Sequence, residues 1–219
     1  MIPLSSLLSR IRTKYEAEAG VPSPVRWSDS NLITFVNEGL ETLAESSGFY
    51  ERYCSVPIQA NRRYYDIRGL TPETAVQIKS VFGSVRNEWL LPKTSEDFGV
   101  GWEKVTGDPY AFFPCGIFWV AVYPLPTTST GTLRVHFSGI PSRFTHTQAV
   151  LGDLPDQFYP ALEDYSLYEM AALDREPKRA IDHFKAYMLR EKQLKEYMDR
   201  RLVASTAGRL GRLSGRLGG

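Results

Sequence analysis

The residues best suited to chemistry lie at the end of the chain, where Gly208–Gly219 reads GRLGRLSGRLGG. Arg209, Arg212 and Arg216 alternate with Leu210, Leu213 and Leu217, spaced by glycines and closed by Gly218 and Gly219. This is recognition chemistry rather than bond-breaking chemistry. Each guanidinium offers a rigid fork of donors to a carboxylate. Each leucine can fill a small pocket, and glycine lets the backbone run close to a surface, where it can add a strand to an exposed edge. The segment cannot fold alone, because glycine loses the most conformational entropy on ordering. The expectation is an extended docking tail over 204–219, held by another chain. Twelve extended residues span roughly 40 Å, and a ring of such tails bound at once gains strongly by effective concentration. The bland alternative is an unstructured terminus.

Catalytic sets are not visible. His136, His146 and His183 fall in a strand, a loop and a helix, and none has a Cys, His or carboxylate at metal-ligand spacing. Asp182 and His183 are adjacent, so on a helix they face apart. Cys54 and Cys115 lie far apart in sequence and outside any nucleophile motif, which predicts free thiols in the β segment. There is no GxSxG, Walker A loop, GxGxxG after a strand or HExxH. Asp97, Asp108, Asp153 and Asp156 stand beside Gly, Pro or a helix start, where turns and caps explain them. The reading is a non-enzyme with no cofactor and no metal. Tyr64, Tyr65, Tyr110, Phe112, Phe113, Phe118, Trp119 and Tyr123 could stack bases. That needs interleaved cations, and Arg62, Arg63 and Arg86 supply few. A sheet core is the favoured reading.

The whole chain is balanced: 26 basic against 25 acidic side chains over 219 residues, with 42% hydrophobic and 23% charged. That is an ordinary globular composition, and it advertises no nucleic-acid partner. After Asp199 every charged side chain is an arginine, so the body leans acidic. Two cysteines make no disulfide framework and fit a reducing compartment. No run approaches eighteen apolar residues, so no membrane helix is expected. The N-terminal residues lack the pattern of a signal peptide.

Positioning elements follow from periodicity. Leu4, Leu7, Leu8, Ile11 and Tyr15 recur at helical spacing, with Ser5 or Ser6 as cap and Gly20 as stop. VPSPV (Val21–Val25) reads as a stiff linker. SDSN then opens a helix carrying Leu32, Ile33, Val36, Leu40 and Leu43 to near Gly48. From Phe49 the texture is β. Strands are expected at Arg52–Ile58, Arg63–Ile67, Val76–Phe82, Glu88–Leu91, Gly116–Tyr123 and Leu133–Phe137, with a helical turn at Thr94–Phe98. After Pro155, Phe158, Ala161, Leu162, Tyr165, Tyr168 and Ala172 form one helical stripe. Pro177 opens a last helix, in which Ile181, Phe184, Met188, Leu194, Met198 and Leu202 continue the pattern. Its many charges balance as a solvated face. The expected fold is α+β. A helical bundle of about four helices (1–48 and 150–203) accepts an inserted antiparallel β region (49–149) and ends in the extended tail (204–219).

The succession of WSDSNLITFVNEGL, RRYYDI, GDPYAFF, FWVAVYPLP, LRVHFSGIP and LPDQFYPALEDYSLYEMA resembles the head-to-tail adaptor, or head-completion, proteins of tailed bacteriophages. It runs from about Val25 to Ala172, and its specificity lies in the order. The resemblance implies a ring of copies, typically a dodecamer, that joins the portal protein to a tail or nozzle protein. Genomic DNA would pass through its channel without sequence-specific binding. It implies a virion component of the neck, assembled in the host cytoplasm, with no membrane partner. The C-terminal segment would dock on the portal through Arg209, Leu210, Arg212, Leu213, Arg216, Leu217 and Gly219. Another neck or tail-completion subunit is the nearest alternative, and a nucleic-acid module using the arginine tail a more distant one.

Overall fold

The computed structural model describes residues 2–20, 26–147 and 149–214, with side chains described to Arg201. In chain order the elements are β1 (Ile2–Pro3), α1 (Leu4–Ala19), α2 (Asp29–Ser47), β2 (Glu51–Pro57), β3 (Tyr64–Asp66), β4 (Thr74–Gly83), β5 (Glu88–Trp89), β6 (Leu91–Pro92), β7 (Ala111–Pro114), β8 (Trp119–Tyr123), β9 (Thr132–Ile140), β10 (Val150–Leu151), α3 (Tyr159–Leu173) and α4 (Pro177–Ser214). The chain is thus α+β, with sheets that are antiparallel apart from one short pair. It divides into two compact units, Met1–Phe49 with Arg143–Gly219, and Tyr50–Ser142.

In the helical unit, Leu4, Leu7, Leu8, Ile11 and Tyr15 are all buried on α1. Pro3 rather than Ser5 or Ser6 is the N-cap residue, and no side chain caps the helix. The chain enters α1 from β1, which pairs with β10, and that pairing fixes the start. Gly20 closes α1 at φ 68°. The linker read over Val21–Val25 lies outside the described residues. At α2 the Ser28 hydroxyl accepts the Asn31 N–H while Asn31 Oδ1 accepts the Ser28 N–H, a reciprocal cap.

Helix α3 packs against α1, α2 and α4 at once. It therefore buries Glu163, Asp164 and Ser166 as well as Ala161, Leu162, Leu167, Met170 and Ala171. Buried carboxylates need partners, and each has one. Glu163 takes Arg10, at 2.6 Å, and Lys14, both from α1. Asp164 takes Arg190 of α4 at 2.5 Å. On α4 the buried residues are Ala180, Tyr187, Glu191, Leu194 and Met198. Ile181, Phe184 and Met188, expected to continue the core stripe, are instead exposed. The inward face carries Ala180, Tyr187, Glu191, Leu194 and Met198, which at 3.6 residues per turn is rotated by roughly 80° from that stripe. The expected end near Leu202 is also passed. The helical backbone runs to Ser214, over part of the segment expected to be extended.

The second unit is a sandwich of two four-stranded sheets, ordered β2-β9-β4-β5 and β3-β8-β7-β6. Alternation on β9 points Leu133, Val135 and Phe137 inward and Arg134 and His136 outward. Cys54, Val56 and Val81 join these from one sheet, and Tyr65, Phe112, Val120 and Val122 from the other. The single strand expected at Glu88–Leu91 is two strands in different sheets, with buried Leu90 between them. The β6–β7 pair is parallel. The connection between β6 and β7 folds back over the outer face of the second sheet. There Phe98 packs on Tyr123 (4.3 Å between ring centroids) and Trp102 on Phe113 (5.4 Å). Arg63 lies 4.4 Å above the Trp102 ring and donates to the Glu103 carbonyl at 2.7 Å.

Candidate functional site

The dense aromatics of the β unit divide between two structural roles. Tyr65, Phe112 and Phe118 serve the sandwich core, while Phe113 and Tyr123 serve the cluster beneath the 93–110 connection. Tyr65 is wholly buried, and its hydroxyl donates to the Arg62 carbonyl at 2.8 Å. Tyr64, Tyr110 and Trp119 stay exposed. Cys54 and Cys115 are both free thiols. Burial pushes the Cys54 thiol up to about 11, so at neutral pH it is a protonated, unreactive core group.

One chemical constellation escaped the sequence reading because its members come from three strands. Ser80 Oγ lies 3.3 Å from His136 Nδ1, and His136 Nε2 lies 3.2 Å from Glu51 Oε2. Register signals it: Tyr53 and Ser80 both pair with His136. Serine, histidine and carboxylate in series can relay a proton. Nucleophilic catalysis also needs a cleft and free donors for an oxyanion. Here the three side chains sit on the open face of a paired sheet. Glu51 is already held by Lys79 at 2.6 Å, and the imidazole is stacked on Tyr53 at 4.5 Å. The set ties three strands together. His183 is likewise tied, its Nε2 lying 2.8 Å from Glu18. Among the described residues, no group of three or more His, Cys, Asp or Glu side chains could hold a metal ion. No described helix is long and apolar enough to cross a membrane.

What remains chemically distinctive is surface. On the outer face of the first sheet, Tyr53 lies under the Arg134 guanidinium (4.3 Å), and Phe82, opposite Arg134, packs on Trp89 (5.5 Å). Tyr, Trp and Arg half-exposed in one patch are the side chains that dominate protein–protein contacts. On the helical unit, Ile181, Phe184 and Met188 form an exposed apolar stripe along α4. Phe184 stacks toward Tyr168 of α3 at 5.1 Å, so the stripe is anchored to the bundle. Sequence reasoning missed both patches: it placed Ile181, Phe184 and Met188 in the helical stripe and singled out none of Tyr53, Phe82, Trp89 or Arg134. Of the docking residues it named, Arg209, Leu210, Arg212 and Leu213 lie on the backbone of α4 beyond the described side chains. Arg216, Leu217 and Gly219 lie outside the described residues.

A two-unit α+β chain whose distinctive chemistry is exposed apolar, aromatic and arginine surface belongs to the class of assembly proteins. The family described as SU10 adaptor protein matches residues 2–212, nearly the whole chain and both units, and the chain belongs to that family. No curated protein matches it. Membership supports a bacteriophage structural adaptor that interacts with other virion proteins, and it suggests a non-enzymatic role.

Proposed function

We propose that this protein is a head-to-tail adaptor of a tailed phage. Copies form a ring, expected to be a dodecamer, that joins the portal protein to the tail or nozzle protein and continues the DNA channel. The observation that carries this reading is the family match over residues 2–212, which takes in both units rather than a shared fragment. The surfaces support it: Tyr53, Arg134, Phe82 and Trp89 on one unit and Ile181, Phe184 and Met188 on the other suit contacts with neighbours better than contacts with a small substrate. The acidic lean of the body suits a channel through which DNA slides without sequence-specific binding. The C-terminal arginines and leucines are proposed to dock on the portal. The experiment is the native mass of the full chain, measured by mass photometry with and without a portal ring. A ring-sized mass, or a chain that joins a ring only when the portal is present, supports the adaptor. A monomer or dimer indifferent to the portal overturns it.

A further inference from the structure

Helix α4 leaves cations unused. Lys178, Lys185 and Lys192 recur every seven residues, all exposed, and none makes an ion pair among the described residues. At that spacing they stand on one side of the helix, interleaved with Ile181 and Met188. Ile181, Phe184 and Met188 are 53%, 42% and 46% exposed, which is unusual for three large apolar side chains on successive turns. The same unit leaves anions unused on α2 and α3. Glu38 and Glu45 stand two turns apart on one side of α2, and Glu169 faces Glu38 from α3. Burial, then the charge of Glu38, raises the Glu169 carboxyl above its ordinary value. Arg143 feels the charge of Glu38, but its guanidinium is already committed to Glu41 through two bonds of 2.7 and 2.9 Å. Three other carboxylates of the unit, Glu163, Asp164 and Asp174, are each matched with a cation. The chain therefore carries two unmatched charge sets of opposite sign on different helices, one of them beside exposed apolar surface.

We propose that these two sets meet across copies: the lysine and apolar face of α4 docks on the Glu38–Glu45–Glu169 face of α2 and α3 of a second copy of this chain. Because the two surfaces differ, the contact is head-to-tail and can close a ring. The inference rests on the ring reading above for that geometry. Phe184 and Met188 supply the buried apolar centre, and the lysine–glutamate pairs set the register around it.

The test uses three full-length chains: wild type, Lys185→Glu with Lys192→Glu, and Glu38→Lys with Glu45→Lys. Lys185, Lys192 and Glu45 are exposed and Glu38 is half-buried, and circular dichroism checks the fold. Sedimentation velocity at low salt follows self-association. Each reversed variant alone is expected to lose association by about tenfold or more, since like charges then face each other. An equimolar mixture of the two variants is expected to regain it, because each altered face then meets its complement. Raising the salt should weaken the wild type. Phe184→Ala should weaken association without restoring complementarity in any mixture. Wild-type self-association that both reversals leave intact overturns this interface while leaving the ring reading standing. A wild-type chain that stays monomeric at low salt yet joins a portal overturns self-docking, again without touching the adaptor role. A reversal-sensitive closed dimer would support the surface and overturn the ring.

Discussion

Two carboxylates one helix face apart show how neighbourhood decides a residue's role. Glu163 is wholly buried yet accommodated, because Arg10 and Lys14 reach it with their own stems half in water. Glu169 is half-buried and has no cation; burial and then Glu38 raise its carboxyl, while a hydrogen bond from Tyr165 opposes them. A carboxyl raised in the folded state above its ordinary 4.5 is a penalty at neutral pH. The penalty is relieved as pH falls through the raised folded value toward the unfolded one. Glu169→Gln is therefore expected to stabilise the free chain at pH 7, with the gain shrinking to nothing near pH 4. Urea titrations across that range check it, and a variant less stable than wild type at pH 7 would contradict it. Glu51 runs the other way. Burial would raise it, but Lys79 and His136 outweigh burial and hold it low, so its contribution is present above 4.5 and lost on acidification. None of this was readable beforehand. Glu163 and Asp164 look like solvated charges in a stripe argument, which assumes one buried face per helix, and α3 has neighbours on three sides.

Elements were the most legible level, wherever local chemistry sets them. The α1 stripe, the SDSN cap and the glycine stops at Gly20 and Gly48 appear in the structure as the periodicity and capping rules require. So does the Thr94–Phe98 turn, closed by Asp97 on the Thr94 N–H at 2.6 Å. The misses have tertiary causes. Strand β7 (AFFP) is too short and too uniformly apolar to alternate, and the Glu88–Leu91 run is cut at Leu90, whose side chain enters the core between sheets. The α4 stripe was displaced because Tyr187 and Glu191 were not counted as inward. Helix contact also explains one glycine. A Cβ on Gly39 of α2 would stand 3.0 Å from the Tyr165 ring of α3. Gly39→Ala is expected to cost about 1–3 kcal/mol by overpacking, despite alanine's better helix propensity. A thermal melt reads it, and a stabilised variant would show that the two helices separate at little cost.

At the scale of the whole molecule, the ordered succession of segments that resembled phage adaptors agrees with the family match over residues 2–212. The surfaces available for assembly were not readable, because exposure of Trp89 or Phe184 depends on what the rest of the chain leaves uncovered. The tail prediction belongs to this scale. Removing Ala207–Gly219 takes no described side chain from either unit. The truncated chain is expected to keep the melting behaviour of the full one, to lose from its circular dichroism only the helical signal of residues 207–214, and to lose joining to a portal ring. Normal joining by that truncation would remove the docking role from Arg209, Arg212 and Arg216.

A ribosome delivers α1 and α2 long before α3, the helix on which both pack. Between them it makes the whole of Tyr50–Ser142, a task of roughly 5–20 s at ordinary translation rates. Within that segment β4–β5 and β7–β8 are hairpins that can pair as they emerge, since hairpins form in microseconds, whereas β2 and β4 wait for β9 at its end. The first two helices must wait with Leu7, Ile11, Val36 and Leu40 uncovered. The nascent chain is therefore longest at risk at its own beginning. That early pair of amphipathic helices is where a holding chaperone of the host would find its binding site.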